Sequence, residues 1–344
     1  MSLKVRERLR YLKTIGIVNN GFNGRGFANP YDIVVSQEGN MFVLNRCDPA
    51  RRSAIRIGVC NLNEDYLYEF GYGFGDGPGQ MVWPVSLAFD SLSRVLGTDE
   101  HKNMLTLFTS KGDYVSHWGE GGARQGQFDG PAGIVIDEED IVFVADQKNH
   151  RIQKYSTDGE FIGQWGGQGS DEGQFDLPWG ITIDRQGKVY VADWRNDRVQ
   201  VFDKNGKIEM VIGSSGDGEE NLSRPSGVSV DSTDNVYVAD WGNERIQVFS
   251  RNGKFKYTLR GEATLSQWAI DFFASNPDEM EQREISNLEP ELPDHLATAY
   301  HISSQTEPFF WGPVSVHVDS EDKLYVVESN RPVSYTHLTL PTKA

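Results

Sequence analysis

The feature that most constrains this chain is an internal repeat. Val189 to Gly206 read VYVADWRNDRVQVFDKNG, and 47 residues further on Val236 to Gly253 read VYVADWGNERIQVFSRNG. Prolines mark the same register. Pro84, Pro131, Pro178 and Pro225 stand 47 residues apart, with Pro30 lying 54 before the first and Pro313 lying 88 after the last. A unit of this length cannot bury both of its faces alone, so its copies must stack and share a core.

Within each unit the pattern is the same. A short apolar segment follows the proline, as in PAGIVID, PWGITID and PSGVSVD. A Gly/Asp/Asn turn leads to a second alternating segment such as KVYVADW, then to a third such as RVQVFD, and a fourth ends in HWGE, QWGG or VIGS. Alternation of apolar and polar residues between such turns is the mark of antiparallel hairpins. Four short strands per unit, in six units, predict an all-β, six-bladed β-propeller of four-stranded antiparallel blades. The leading YLKTIGIV falls in the register of a fourth strand, because Phe27 precedes its proline by three, as do Phe128 and Phe175. It is therefore expected to be the outer strand of the sixth blade and to fasten the ring.

The pattern P-x-G-I-x-(V/I)-D followed by V-Y-V-A-D-x-x-N-x-R-(I/V)-Q-V-F resembles the NHL repeat, most strongly over residues 131 to 250. That resemblance implies a six-bladed propeller spanning 11–331 as one domain. It also implies a choice of roles, since similar propellers include binding scaffolds, metal-dependent lactonases and a zinc-dependent lyase of amidated-peptide precursors. The end of the chain departs from the pattern. Val333 and His337 stand where an arginine and an aromatic are expected, inside RPVSYTHLTLPTKA. This tail, 332–344, resembles translated adapter sequence from a metagenomic fragment, so the third strand of blade six is expected to be foreign or missing and the closure weak.

The repeated polar residues read as architecture. A carboxylate ends the second strand and an arginine opens the third: Asp146 with Arg151, Asp193 with Arg198, and Asp240 with Arg245. Such a pair can close a loop by charge-assisted hydrogen bonds. Catalysis needs one site, whereas this pair recurs, so its expected role is structural. Trp118 and Trp165 share one fourth-strand position and are expected in the core.

Function is expected where the repeats disagree. The loops between second and third strands and the connections between blades share one face, around the channel mouth. There stand Trp194 with Arg195, Trp241, Trp179, Tyr31 and Trp83, aromatics suited to recognition. Between blades five and six lies an extra segment, 262–312, carrying ten acidic residues and one basic residue. Leu265, Trp268, Ala269, Phe272 and Phe273 have helical spacing, with Thr264 as the expected N-cap. A second helix is expected from Asn276 as cap and Pro277 at the first position. With Trp268 on its apolar face, this helical insertion is expected to lie over the mouth as a lid or docking element.

The channel offers weaker candidates. Four residues after each proline stand Val34, Ala88, Val135, Thr182, Ser229 and His317, and two after stand Asp32, Ser86, Gly133, Gly180, Gly227 and Ser315. His317 and Asp32 are the polar outliers. They could hold calcium or zinc, or act as acid and base in a metal-dependent hydrolase or lyase, or simply steady the closure. His101, His150, His295 and His301 match no metal-binding spacing. The expectation is a protein- or small-molecule-binding module rather than an enzyme, with no assured cofactor.

Composition narrows partners. The net charge of −17 argues against nucleic acid, which calls for a basic surface. Neither a signal peptide nor a membrane span is apparent, so a cytoplasmic protein is expected. Cys47 and Cys60 make no disulfide framework and are expected to be unpaired thiols.

Overall fold

The computed structural model describes residues 9–17, 24–46 and 54–330, and the backbone of 336–341. Alternating segments pair as antiparallel hairpins, and the result is an all-β propeller. The first described strand is β1 (Leu9–Ile15). The first blade then follows as β2 (Pro30–Val35), β3 (Met41–Asn45), β4 (Arg56–Cys60) and β5 (Tyr66–Phe70). The second is β6 (Pro84–Phe89), β7 (Val95–Asp99), β8 (Met104–Phe108) and β9 (Tyr114–Trp118). The third is β10 (Pro131–Ile136), β11 (Ile141–Asp146), β12 (Arg151–Ser156) and β13 (Phe161–Gly166). The fourth is β14 (Pro178–Ile183), β15 (Val189–Asp193), β16 (Arg198–Phe202) and β17 (Ile208–Ile212). A short parallel pair, β18 (Ser214–Ser215) with β19 (Asn221–Leu222), precedes the fifth blade. That blade is β20 (Pro225–Val230), β21 (Val236–Asp240), β22 (Arg245–Phe249) and β23 (Phe255–Leu259).

Where the sequence predicts six blades, five are built from uninterrupted chain. The last four-stranded sheet is composite. It contains β24 (Pro313–Val318), β25 (Leu324–Glu328) and β26 (Thr336–Pro341), with β1 paired on the outside of β26. The N-terminal strand thus occupies the outer position, and its inner neighbour comes from the chain segment expected to be foreign.

Cores form between sheets, not within them. Phe42, Leu44, Ile57 and Phe70 of the first blade pack on Met81, Leu87, Val95 and Phe108 of the second. Each proline begins the innermost strand, and all five anchor strands plus β24 surround a central channel. On one arc the strands approach closely because glycine is present. A Cβ on Gly133 would lie 2.4 Å from the Trp179 carbonyl oxygen, and one on Gly180 would lie 2.6 Å from that of Ser226. Any larger residue would push those strands apart.

The helices lie between β23 and β24, toward the C-terminal end: α1 (Gln267–Ser275), α2 (Pro277–Ile285) and α3 (Ala299–Gln305). The cap of α1 is Ser266, whose hydroxyl accepts from Ala269 N at 3.1 Å; Thr264 is instead drawn to Tyr11 Oη at 2.9 Å. Pro277 holds the first position of α2, but the Asn276 side chain donates back to Phe272 O rather than capping. Among the described residues no helix is long and apolar enough to cross a membrane. Cys60 is a buried free thiol, and burial, aided by Glu64, pushes its pKa up to about 12. Cys47 lies outside the described residues.

Candidate functional site

The channel mouth is built by residues next to the anchor prolines and by the loops between second and third strands. Tyr31 heads β2 and Trp179 heads β14, strands on opposite sides of the ring. Their rings meet over the channel with centroids 6.3 Å apart. The Arg46 guanidinium lies 4.6 Å from the Tyr31 ring centroid and 5.1 Å from that of Trp83, a doubly stacked cation. It is held in place by Glu100 at 2.5 Å. Trp83 in turn faces His101, with ring centroids 6.1 Å apart. Burial raises the Tyr31 phenol above its ordinary pKa, with Arg46 opposing, so it stays a neutral donor.

A second aromatic group lies beside the first. Trp194 and Trp241 each open a single 3-10 turn, Trp194–Asn196 and Trp241–Asn243, that the chain leaves through a left-handed residue, Asp197 or Glu244. That shared turn brings the two indoles to 6.5 Å. Arg224 and Arg195 lie 5.2 Å and 5.9 Å from the Trp194 centroid. Trp194, Trp241 and Trp179 are all partly exposed, and Trp83 is exposed. The surface offers flat apolar area with cations at its edge, suited to aromatic or apolar groups that carry acceptors.

Below the Tyr31–Trp179 pair the channel is a cavity of about 420 Å³. Asp32 and His317 both face it but do not pair. Asp32 accepts from Ser315 Oγ at 2.6 Å, Ser86 Oγ at 2.7 Å and Leu87 N at 2.8 Å. It thereby ties β24, β2 and β6 together across the closure. Burial raises its carboxyl pKa, while the three donors pull the other way. His317 lies two residues deeper on β24, against the Tyr325 ring at 6.2 Å. The walls strip it of water and hold its pKa down to about 4, so it is neutral at neutral pH.

Among the described residues no three His, Cys, Asp or Glu side chains gather as a metal site. The other histidines are dispersed. The His150 ring accepts from Leu177 N at 3.2 Å, His301 pairs with Thr298, and His295 is exposed.

The insertion does not rest its tryptophan on the mouth. Trp268 is buried at the seam between the composite sheet and the first blade, among Ile15, Phe27, Cys60 and Tyr325. Its Nε1 donates to Glu64 O at 2.5 Å. In the seam between the second and third blades Trp118 is placed alike, on Phe128 and Tyr155 with Nε1 donating to Thr157 O. The expected apolar stripe is therefore only partly covered. Trp268 and Ala269 are buried, Leu265 and Phe273 are half-buried and Phe272 is exposed, as are Ile270 and Ile285 outside the stripe. α3 lies near the Trp241 turn, and Tyr300 packs on Trp311 with ring centroids 5.9 Å apart.

The recurring carboxylates organise loops. Asp193 Oδ2 takes Arg198 Nε at 2.8 Å, Asn196 Nδ2 and Gln200 Nε2, while Oδ1 takes Asp176 N. Arg198 then donates to the carbonyls of Ser170, Asp171 and Gln174, bracing the blade-to-blade connection. Asp146 with Arg151 and Asp240 with Arg245 repeat this at 2.8 and 2.7 Å. The NHL repeat model matches residues 128–155, 175–202 and 222–249, the stretches that contain these networks. The chain is an NHL-repeat propeller.

No curated protein sequence matches this NHL propeller. Among solved structures it is similar to a streptogramin B lyase, at 14% identity and a TM-score of 0.57, covering 95% of this chain and 97% of that one. A catalytically inactive variant of virginiamycin B lyase from Staphylococcus aureus, solved with quinupristin, gives 15% identity and 0.57, covering 97% and 99%. An auxiliary nutrient binding protein from Bacteroides thetaiotaomicron VPI-5482 gives 8% identity and 0.62, covering 97% and 77%. At such identities the likeness speaks for the fold. Sequence reasoning missed Arg46 and Arg224 as stacked cations, and Ser86 and Ser315 as the partners of Asp32. The signal was present for three of them. Arg46 shares the register of Trp194 and Trp241, and both serines share that of Asp32.

Proposed function

We propose that this NHL propeller is a binding module that takes a protein or small-molecule ligand on its aromatic mouth, with the helical insertion beside it. On this reading the composite sheet counts as the sixth blade and completes the ring. The observation that carries it is the meeting of Tyr31 and Trp179 over the channel, flanked by Arg46 and by the Trp194–Trp241 pair. Partly exposed tryptophans with stacked arginines are the residues that dominate recognition surfaces. The likeness to a nutrient binding protein favours the same reading at the level of fold analogy. The exposed Ile270, Phe272 and Ile285 of the insertion add apolar area for a protein partner.

The test is capture and quantification of bound ligand or partner by the wild type, by a Trp179→Ala, Trp194→Ala double variant, and by Tyr114→Ala on an outer strand. The double variant should melt like the wild type and lose what it captured, while Tyr114→Ala keeps it. Equal capture by all three would overturn the assignment to the mouth.

A second reading, a metal-dependent hydrolase or lyase with its site in the channel, is favoured by the neutral imidazole of His317 and the likeness to streptogramin B lyases. It requires stoichiometric calcium or zinc and turnover of a lactone or peptide that His317→Ala abolishes. Absence of metal uptake on equilibrium dialysis would remove it.

A further inference from the structure

We propose that the channel beneath the mouth is a separate binding site for a small neutral molecule with an amide-like edge and an apolar body, entered from the face opposite the mouth. The cavity of about 420 Å³ falls within the usual small-ligand range of roughly 300–1,000 Å³. Its wall is divided in two. On three successive blades the residue four after the anchor proline is Val34, Ala88 or Val135, an apolar arc. On the next three innermost strands it is Thr182, Ser229 or His317, a polar arc that faces the first. Among the described residues the Thr182 hydroxyl and the His317 imidazole have no hydrogen-bond partner. Ser229 Oγ accepts from Val318 N at 3.0 Å, leaving its own proton to donate. Partly enclosed polar groups without partners call for a ligand or water to satisfy them.

Charge selects the class of ligand. His317 is uncharged at neutral pH and offers one donor and one acceptor, as the two hydroxyls do. Among the described residues no cation lines this stretch of the cavity to reward a carboxylate, and Asp32 above with Asp319 below would repel one. Both of those carboxylates are already engaged, Asp32 by three donors and Asp319 by Tyr325 Oη and Lys323, so an ammonium gains little. A neutral edge that both donates and accepts fits best. The route is also fixed. Tyr31 and Trp179 cover the upper end, whereas the lining reaches exposed Gln37 and Ser320 at the first-to-second-strand turns. This site goes beyond the mouth reading and does not depend on it.

The test titrates N-benzylacetamide, with 3-phenylpropionate and 2-phenylethylamine as charged counterparts. The readout is the His317 Cε1 proton resonance, assigned by its loss in His317→Gln. The amide should shift that resonance saturably and more strongly than either charged probe. Thr182→Val, which deletes one hydrogen bond at constant shape, should weaken it about fivefold. Val135→Trp, which fills the apolar arc, should abolish it, and Trp194→Ala, at a mouth residue outside the cavity lining, should leave it intact, so that mouth and channel are scored separately. No shift from the amide up to its solubility limit, tighter binding of a charged probe, or unchanged affinity in Thr182→Val would each overturn the proposal.

Discussion

Replacing Trp268 by alanine tests whether the insertion clasps the ring. Trp268 is 4% exposed and packs on Ile15, Phe27, Cys60 and Tyr325, side chains drawn from both ends of the chain. Truncating a buried tryptophan to alanine costs about 3–5 kcal/mol where the site cannot collapse. Loss of the indole bond to Glu64 O belongs to the same truncation; alone, as in Trp268→Phe, it costs about 1 kcal/mol plus the shape mismatch. An expected loss of about 4 kcal/mol is a large share of the roughly 5–15 kcal/mol that holds a domain together. The assay is urea unfolding followed by circular dichroism, with limited proteolysis at the insertion as a local probe. Trp118→Ala supplies the internal comparison, because Trp118 fills the corresponding place at a seam inside uninterrupted chain. If seams are equivalent, both variants lose stability, and Trp268→Ala also frees the insertion to protease. A Trp268→Ala protein within about 0.5 kcal/mol of the wild type and equally protease-resistant would refute the clasp.

Asp32→Ala removes the acceptor shared by Ser315, Ser86 and Leu87 N, and should cost about 2–4 kcal/mol, read from the urea midpoint at constant slope. His317 makes stability depend on pH with a definite sign. Its pKa of about 4 in the fold lies below the unfolded value of 6.5, so the unfolded chain binds more protons between the two. Stability should therefore fall as pH drops from 6.5 toward 4, by up to about 3 kcal/mol, and His317→Gln should flatten that part of the profile. Cys60, with its thiol pushed up to about 12, should resist a thiol reagent in the native protein at pH 8 and react only as denaturant opens the seam.

Much of the scaffold is legible in the chain, because a period-two pattern repeated at constant spacing fixes strand, register and partner together. The pairing of Asp193 with Arg198 follows once both ends of a hairpin are placed, and so does the outer position of β1, since Phe27 sets the register of that connection. The partner of Asp32 is less so. Two residues along a strand span about 7 Å, which sets His317 a level deeper than Ser315, and side chains at one level of adjacent innermost strands are the ones that meet. The destination of Trp268 is not legible either. An amphipathic stripe shows that a helix needs a surface, not which one, and the seam that receives it is assembled from residues near positions 15, 27, 60 and 325. The cap of α1 fails for a related reason. Thr264 and Ser266 are equally good hydroxyls locally, and the contact of Thr264 with Tyr11, some 250 residues away in sequence, leaves the role to Ser266.

The ring is held by different means on its two sides, and the mouth straddles them. Along β10, β14 and β20 glycines two after the anchor proline let backbones nearly touch: a Cβ at Gly133, Gly180 or Gly227 would meet the next strand at 2.4, 2.6 or 3.1 Å. Close contact of main chain on main chain yields little, because packed interiors are not continuously deformable. Along β24, β2 and β6 the same register carries Ser315, Asp32 and Ser86, joined by hydrogen bonds about one buried carboxylate. This is the side on which the chain ends meet, and there Trp268 adds an outer fastening to the inner one. Tyr31 belongs to the hydrogen-bonded arc and Trp179 to the glycine arc. Any opening of the seam must then move one ring of the mouth relative to the other, so the residues that close the propeller also set the spacing of the surface that would receive its ligand.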